Sequence, residues 1–214
     1  MTSTASTPAS GPGASRARRE KALLILEDGT VLHGSAYGAR GSRLGEVVFT
    51  TGMTGYQETL SDPSYAGQIV VQTAPHIGNT GANAQDMESR KVWVRGYAVR
   101  DASRISSSYR AEQTLDELLI SSDVVGISDI DTRMLTRLLR ENGSLRGGIF
   151  SGDVLSTPQE QLLAQVREQP AMSGASFVEE VTIAQPVVLE PEGEVRATVA
   201  AVDLGIKGAS PRSM

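Results

Sequence analysis

A chain of 214 residues has room for one large domain or a medium one with attachments, and its 39% hydrophobic and 21% charged residues exclude global disorder. A net charge of −5 lacks the Lys and Arg surplus needed to displace counterions from a phosphate backbone, so a nonspecific nucleic-acid binder is excluded. With no cysteine and only 2 histidines, the chain has no disulfide, no thiolate metal site and no cysteine nucleophile, and no His-Glu-x-x-His spacing supplies a zinc site.

Residues 1–20 are almost all Thr, Ser, Ala, Pro and Gly before a basic run, too poor in apolar surface to offset chain entropy, and are expected to be a disordered extension. No apolar leader follows Met1 and no run is long enough to span a bilayer, so a cytoplasmic protein with no membrane partner is expected. The run Ala22 to Leu26, the Asp28-Gly29 pair and Val31 to Gly34 predict a β-hairpin. Gly38, Gly41 and Gly45 predict a loop before a strand at Glu46 to Thr50. Further strands are predicted at Gln68 to Thr73, Val92 to Arg100, Val124 to Ile127 and Leu145 to Phe150.

Helices enter later in the chain. Apolar residues 134, 135, 138 and 139 recur at helical spacing, with Asp131 placed to cap the helix and Gly143 to end it in the left-handed conformation. Position 134 is Met, so no reciprocal capping box is expected there. Shorter helices are predicted at Thr114 to Ile120 and Pro158 to Glu168. From Ala184 to Glu194, Pro, Gly and Glu break every period and mark a linker. Beyond it, Ala197 to Gly205 reads as a strand buried on both faces, of the kind found in parallel α/β sheets.

Two segments concentrate possible binding groups. Thr51 to Tyr65 reads as a turn, a short helix and a second turn shaped by Asp62-Pro63, and scaffolded loops of this kind often carry binding side chains. In Ala74 to Gly81, Gly78 and Gly81 permit close backbone approach, and His76 and Asn79 could hold a ligand or partner, although such a His more often props its own loop. The glycines at 38, 41, 147 and 148 lack the Gly-Lys-Ser/Thr helix start of a phosphate cradle. A Ser64, His76 and Asp62 hydrolase triad can be drawn, but no Gly-x-Ser-x-Gly elbow supports it. Arg133, Arg137 and Arg140 read as a solvated helix face with Arg137 and Glu141 paired at i, i+4.

The runs LEDGTVLHGSAYGA, GEVVFTTGMTGYQETLSDPSY, APHIGNTGAN, GYAVRD and GISDIDTRMLTRLLRENG, followed after the linker by AAVDLGIKG, resemble the amino-terminal domain of the carbamoyl-phosphate synthase small subunit. The resemblance implies an α/β chain: a layered β/β/α domain over residues 21–183, a linker over 184–196, and at 197–214 the isolated first strand of a truncated amidotransferase domain. It also implies a role beside a large subunit. In the family the small subunit hydrolyses glutamine through a cysteine nucleophile and passes ammonia to the large subunit, which uses ATP, magnesium and bicarbonate to make carbamoyl phosphate for arginine and pyrimidine synthesis. No cofactor and no catalytic residue is implied within this chain, which is expected to be inactive alone. Ser64 matches the serine of the family's D-P-S-Y segment that contacts bound glutamine, and is the one small-molecule contact implied. His76 and Asn79 match a family loop without an assigned role. A freestanding noncatalytic module that docks on the large subunit or another partner is the alternative.

Overall fold

The computed structural model describes residues 20–190 and 193–214. Met1 to Arg19, where the disordered extension is expected, and Pro191 and Glu192 of the linker lie outside the described residues. Glu20 belongs to the folded part, since its carbonyl accepts the Ala36 N–H at 2.8 Å and its carboxylate pairs with Arg40 at 2.6 Å.

Seven strands form the framework: β1 (Lys21–Leu26), β2 (Val31–Gly38), β3 (Ser42–Thr50), β4 (Gln68–Gln72), β5 (Gly96–Ala98), β6 (Val125–Ser128) and β7 (Leu145–Ser151). They close on themselves in the order β1-β2-β6-β5-β4-β3-β7, with β7 returning to β1. The run from β3 through β4 and β5 to β6 is parallel, and the other pairings are antiparallel. Where the resemblance implies stacked β layers, the described residues show an α/β architecture whose sheet is a closed barrel.

Side-chain alternation along the strands sorts the core. Ala22, Leu24, Leu26, Val47, Ile69, Val71, Ile127 and Ile149 form one buried set. This is the inward face of a pleat whose side chains alternate with period two. Leu135 and Leu139 of α3 (Thr132–Asn142) join it, which explains the helical spacing seen in the sequence. The opposite face of β1 and β7 buries Ile25 and Phe150 against Leu162 and Val166 of α4 (Gln159–Glu168). Tyr37, Val70 and Tyr97 pack instead with Leu115, Leu118 and Leu119 of α2 (Leu115–Ser121) and with Tyr56 and Leu60 of α1 (Tyr56–Ser61).

Several boundaries shift for identifiable reasons. The hairpin turn is longer than an Asp-Gly pair, because the Leu26 N–H donates to Thr30 O at 2.9 Å and leaves Glu27, Asp28 and Gly29 as the loop, with Gly29 at φ 95°. The stretch 42–45, read as loop, is strand paired with β7. The strand expected from Val92 shrinks to Gly96–Ala98, since the Trp93 N–H is spent on Leu60 O at 2.9 Å. Asp131 caps α3 as expected, accepting the Met134 N–H at 2.9 Å. Gly143 ends α3 at φ 82° and ψ −172°, a positive φ open to glycine but outside the left-handed helical basin. Arg137 and Glu141 form no ion pair among the described residues.

The isolated strand expected at 197–205 is absent: residues 197–202 are exposed and adopt no regular structure. A strand exists only by pairing its backbone with a neighbour, and a closed barrel offers no free edge. The segment instead turns at Asp203 and ends in two short helices' company, α5 (Val178–Val181) packed nearby and α6 (Ala209–Arg212) following it.

Candidate functional site

The segment Thr51 to Tyr65 folds as the sequence suggests, as a bend, the short helix α1 and a second turn. Gly55 starts α1 from the left-handed region at φ 74°. Asp62 is extended, and Pro63, which lacks an N–H and has its φ already fixed, opens a single 3-10 turn over Pro63–Tyr65. The Asp62 carboxylate accepts the Ser64 N–H at 2.9 Å, and the Tyr65 N–H donates to Asp62 O at 3.1 Å. This leaves Ser64 exposed, with its hydroxyl making no hydrogen bond among the described residues. Gly67, at φ 81°, closes the turn where a Cβ would lie 2.6 Å from the Phe177 ring, so the ring seals the turn from below.

Two further stretches brace this turn. Ser61, fully buried, accepts the Glu88 N–H through its hydroxyl at 2.9 Å, while its carbonyl accepts the Ser89 hydroxyl at 2.6 Å. The Trp93 indole N–H donates to the same Ser89 hydroxyl at 2.6 Å. Trp93 packs with Ala66, Val181 and Phe177, and Arg90 and Lys91 lie over its ring at 4.9 and 4.1 Å. Arg90 also donates to the carbonyls of Glu180, Val181 and Thr182, the end of α5.

From the far side comes the segment 203–209. Asp203 gathers the N–H groups of Gly205 at 2.7 Å, Ile206 at 2.8 Å and Ile183 at 3.1 Å. These bonds, the Ile206 one foremost, hold its carboxyl below the usual carboxylate range against a modest burial effect. Lys207 reaches the Asp62 carboxylate at 3.3 Å, the Gly208 N–H donates to Glu88 O at 2.6 Å, and the Ala209 N–H to the Glu88 carboxylate at 2.9 Å. The arrangement is a firmly supported turn presenting one free hydroxyl, with a lysine and an aspartate behind it. It can hydrogen-bond a polar ligand, and among the described residues no base is hydrogen-bonded to the hydroxyl as activation of a nucleophile requires.

The structure separates the other candidates from this turn. His76 Nδ1 lies 2.7 Å from Asp101, both half exposed, and the Asn79 carbonyl accepts the Ser107 N–H at 2.9 Å and its hydroxyl at 3.2 Å. Both residues thus serve the 101–107 stretch. The Ser64, His76 and Asp62 triad does not assemble, because Asp62 is engaged by Lys207 and His76 by Asp101. No group of three or more His, Asp or Glu that could hold a metal occurs among the described residues, and no helix there is long and apolar enough to cross a membrane. The sequence reading missed Lys207, Glu88 and Arg90. Only the Asp203-x-Gly205 turn carried a local signal.

Residues 24–149 match the family model for the carbamoyl-phosphate synthase small chain, CPSase domain. The carbamoyl phosphate synthase small chain of Streptomyces coelicolor is 57% identical over 199 residues, 92% of this chain and 52% of that protein. That of Mycobacterium tuberculosis is 54% identical over 198 residues, 90% of this chain and 52% of that protein. That of Bifidobacterium longum is 52% identical over 208 residues, 92% of this chain and 51% of that protein. The chain therefore spans about half the length of the curated relatives it matches.

Proposed function

Because the chain belongs to the carbamoyl-phosphate synthase small chain family, we propose that it forms the amino-terminal part of a small chain that supplies ammonia from glutamine to a large chain for carbamoyl phosphate synthesis. In this reading the layered domain of the family is the barrel with its covering helices. Segment 203–209 is the entry into an amidotransferase half that provides the cysteine, and ATP and magnesium act on the large chain. The product would feed arginine and pyrimidine synthesis in the cytoplasm. Ser64 contacts the amino-acid end of glutamine from across the domain boundary. The observation that carries the reading is the family match over residues 24–149, which contains the braced turn with its free Ser64 hydroxyl.

The test is Ser64→Ala in a full-length small chain assembled with its large chain. A hydrogen bond to a charged group is worth roughly 1.5 to 3 kcal/mol, and loss of the hydroxyl alone lies at the low end, so apparent glutamine affinity is expected to fall about tenfold. The contact is remote from the scissile amide, so KM rises more than kcat falls, while synthesis from added ammonia is unchanged. The alternative reading is a noncatalytic module docking on the large chain or another partner. Under that reading Ser64→Ala leaves the glutamine KM untouched.

A further inference from the structure

The Asp62 side chain is nearly buried, 10% exposed, and its two oxygens are divided between different parts of the chain. Oδ1 accepts the Ser64 N–H at 2.9 Å, and Oδ2 faces Lys207 Nζ at 3.3 Å. A carboxylate held this far from water needs a compensating charge, and Lys207 is the cation that reaches it. The backbone around Lys207 has further anchors besides Asp62. Gly205, at φ 99°, sits where a Cβ would lie 3.3 Å from Pro63 Cβ and 2.8 Å from Val181 Cγ2, while Gly208 and Ala209 are tied to Glu88. Segment 203–209 thus presses on the turn through Pro63 and pulls on it through Asp62.

We propose that Asp62 is a positioning residue that makes the conformation of the Ser64 turn conditional on the docking of segment 203–209, with Lys207 setting the carboxylate's orientation. When Lys207 is withdrawn, the carboxylate turns toward water and lets go of the Ser64 N–H, so the 3-10 turn loses its cap and the exposed hydroxyl loses its fixed direction. The turn is a two-position element whose ordered state requires the segment in place. A ligand held by Ser64 is gripped only when the segment is docked. This last step rests on the reading of Ser64 as a glutamine contact; the coupling itself does not.

The coupling is tested on this chain by residue-resolved amide hydrogen exchange. In Lys207→Met, exchange of the Ser64 amide is expected to rise about tenfold, as for loss of one hydrogen bond, with the barrel strands unchanged. Lys207→Arg, which keeps the charge, is expected to retain protection. Asp62→Asn, which keeps an acceptor for Ser64 but no charge for Lys207, is expected to speed exchange at Gly208 and Ala209. Slow exchange at Ser64 in Lys207→Met, beside an intact barrel, overturns the proposal. So does unchanged exchange at Gly208 and Ala209 in Asp62→Asn, which decides the matter if Lys207→Met does not fold.

The functional arm uses the assembled enzyme. Asp62→Ala is expected to raise the glutamine KM on its own, to add nothing in a Ser64→Ala background, and to leave ammonia-driven synthesis alone. If Ser64→Ala has no effect on KM while the exchange coupling holds, the glutamine reading fails and the positioning role stands. If Ser64→Ala raises KM and Asp62→Ala does not, the positioning role fails and the glutamine reading stands.

Discussion

The Glu27 carboxylate accepts both the backbone N–H and the guanidinium Nε–H of Arg146, each at 2.7 Å, and so locks the β1–β2 loop to β7. The backbone bond is the main cause that holds its pKa below the ordinary 4.5, with the Arg146 and Arg167 charges helping and burial opposing. A carboxyl whose folded pKa is depressed contributes stability that is fully present above its unfolded value and is lost as pH falls through the folded value. Glu27→Gln is therefore expected to destabilise the chain by about 1 kcal/mol at neutral pH. The difference from the parent should shrink once pH falls below 4.5 and onward through the lowered folded value. Urea unfolding at a series of pH values checks this, and a constant difference down to strongly acid pH would contradict it.

Helix α2 is short and leans on its first turn. Thr114 accepts the Glu117 N–H at 3.2 Å, and the Glu117 carboxylate accepts the Thr114 N–H at 2.7 Å, a reciprocal capping box. Thr114→Ala is expected to cost about 1 kcal/mol and to lower Tm by about 2 to 4 °C in a thermal melt, while Thr114→Ser should be close to neutral. A short helix from Thr114 was legible in the sequence, as were Asp131 and the apolar stripe of α3, because caps and stripes are written in neighbouring residues; the Thr-x-x-Glu spacing of its capping box was there but went unread. The turn at Asp62-Pro63 was legible for the same reason, whereas Ser64 was singled out through the family resemblance. Residues 42–45 and 92–95 were not, since only the partner strand or the Leu60 carbonyl decides whether such a segment is ladder or loop. Lys207 escaped notice because its meaning lies wholly in Asp62, far away in the chain. Residues 197–205 misled, because apolar content records a fitness for strand but does not supply the neighbour that makes one.

At the scale of the molecule, Val195, Val199, Val202 and Leu204 stand 62% to 79% exposed along one irregular segment. Clustered apolar exposure of this kind promotes self-association. A chain ended at Glu190 is expected to remain monomeric at concentrations where the 214-residue chain associates, and equal sedimentation of the two would refute this. The 214-residue chain, having no thiol, is also expected to release no ammonia from glutamine above background; activity that survives repurification would refute that. The closed barrel has a consequence in time as well as in space. Its first strand is sealed by its last, through the register Leu24 to Ile149, so the seam joins residues made at opposite ends of the domain. During synthesis β1 and β3 must wait, edges bare, until β7 leaves the ribosome, because both take β7 as a neighbour. Folding is then expected to be a late event with a long loop to close, with the bare edges open to aggregation in the interval before the final strand arrives.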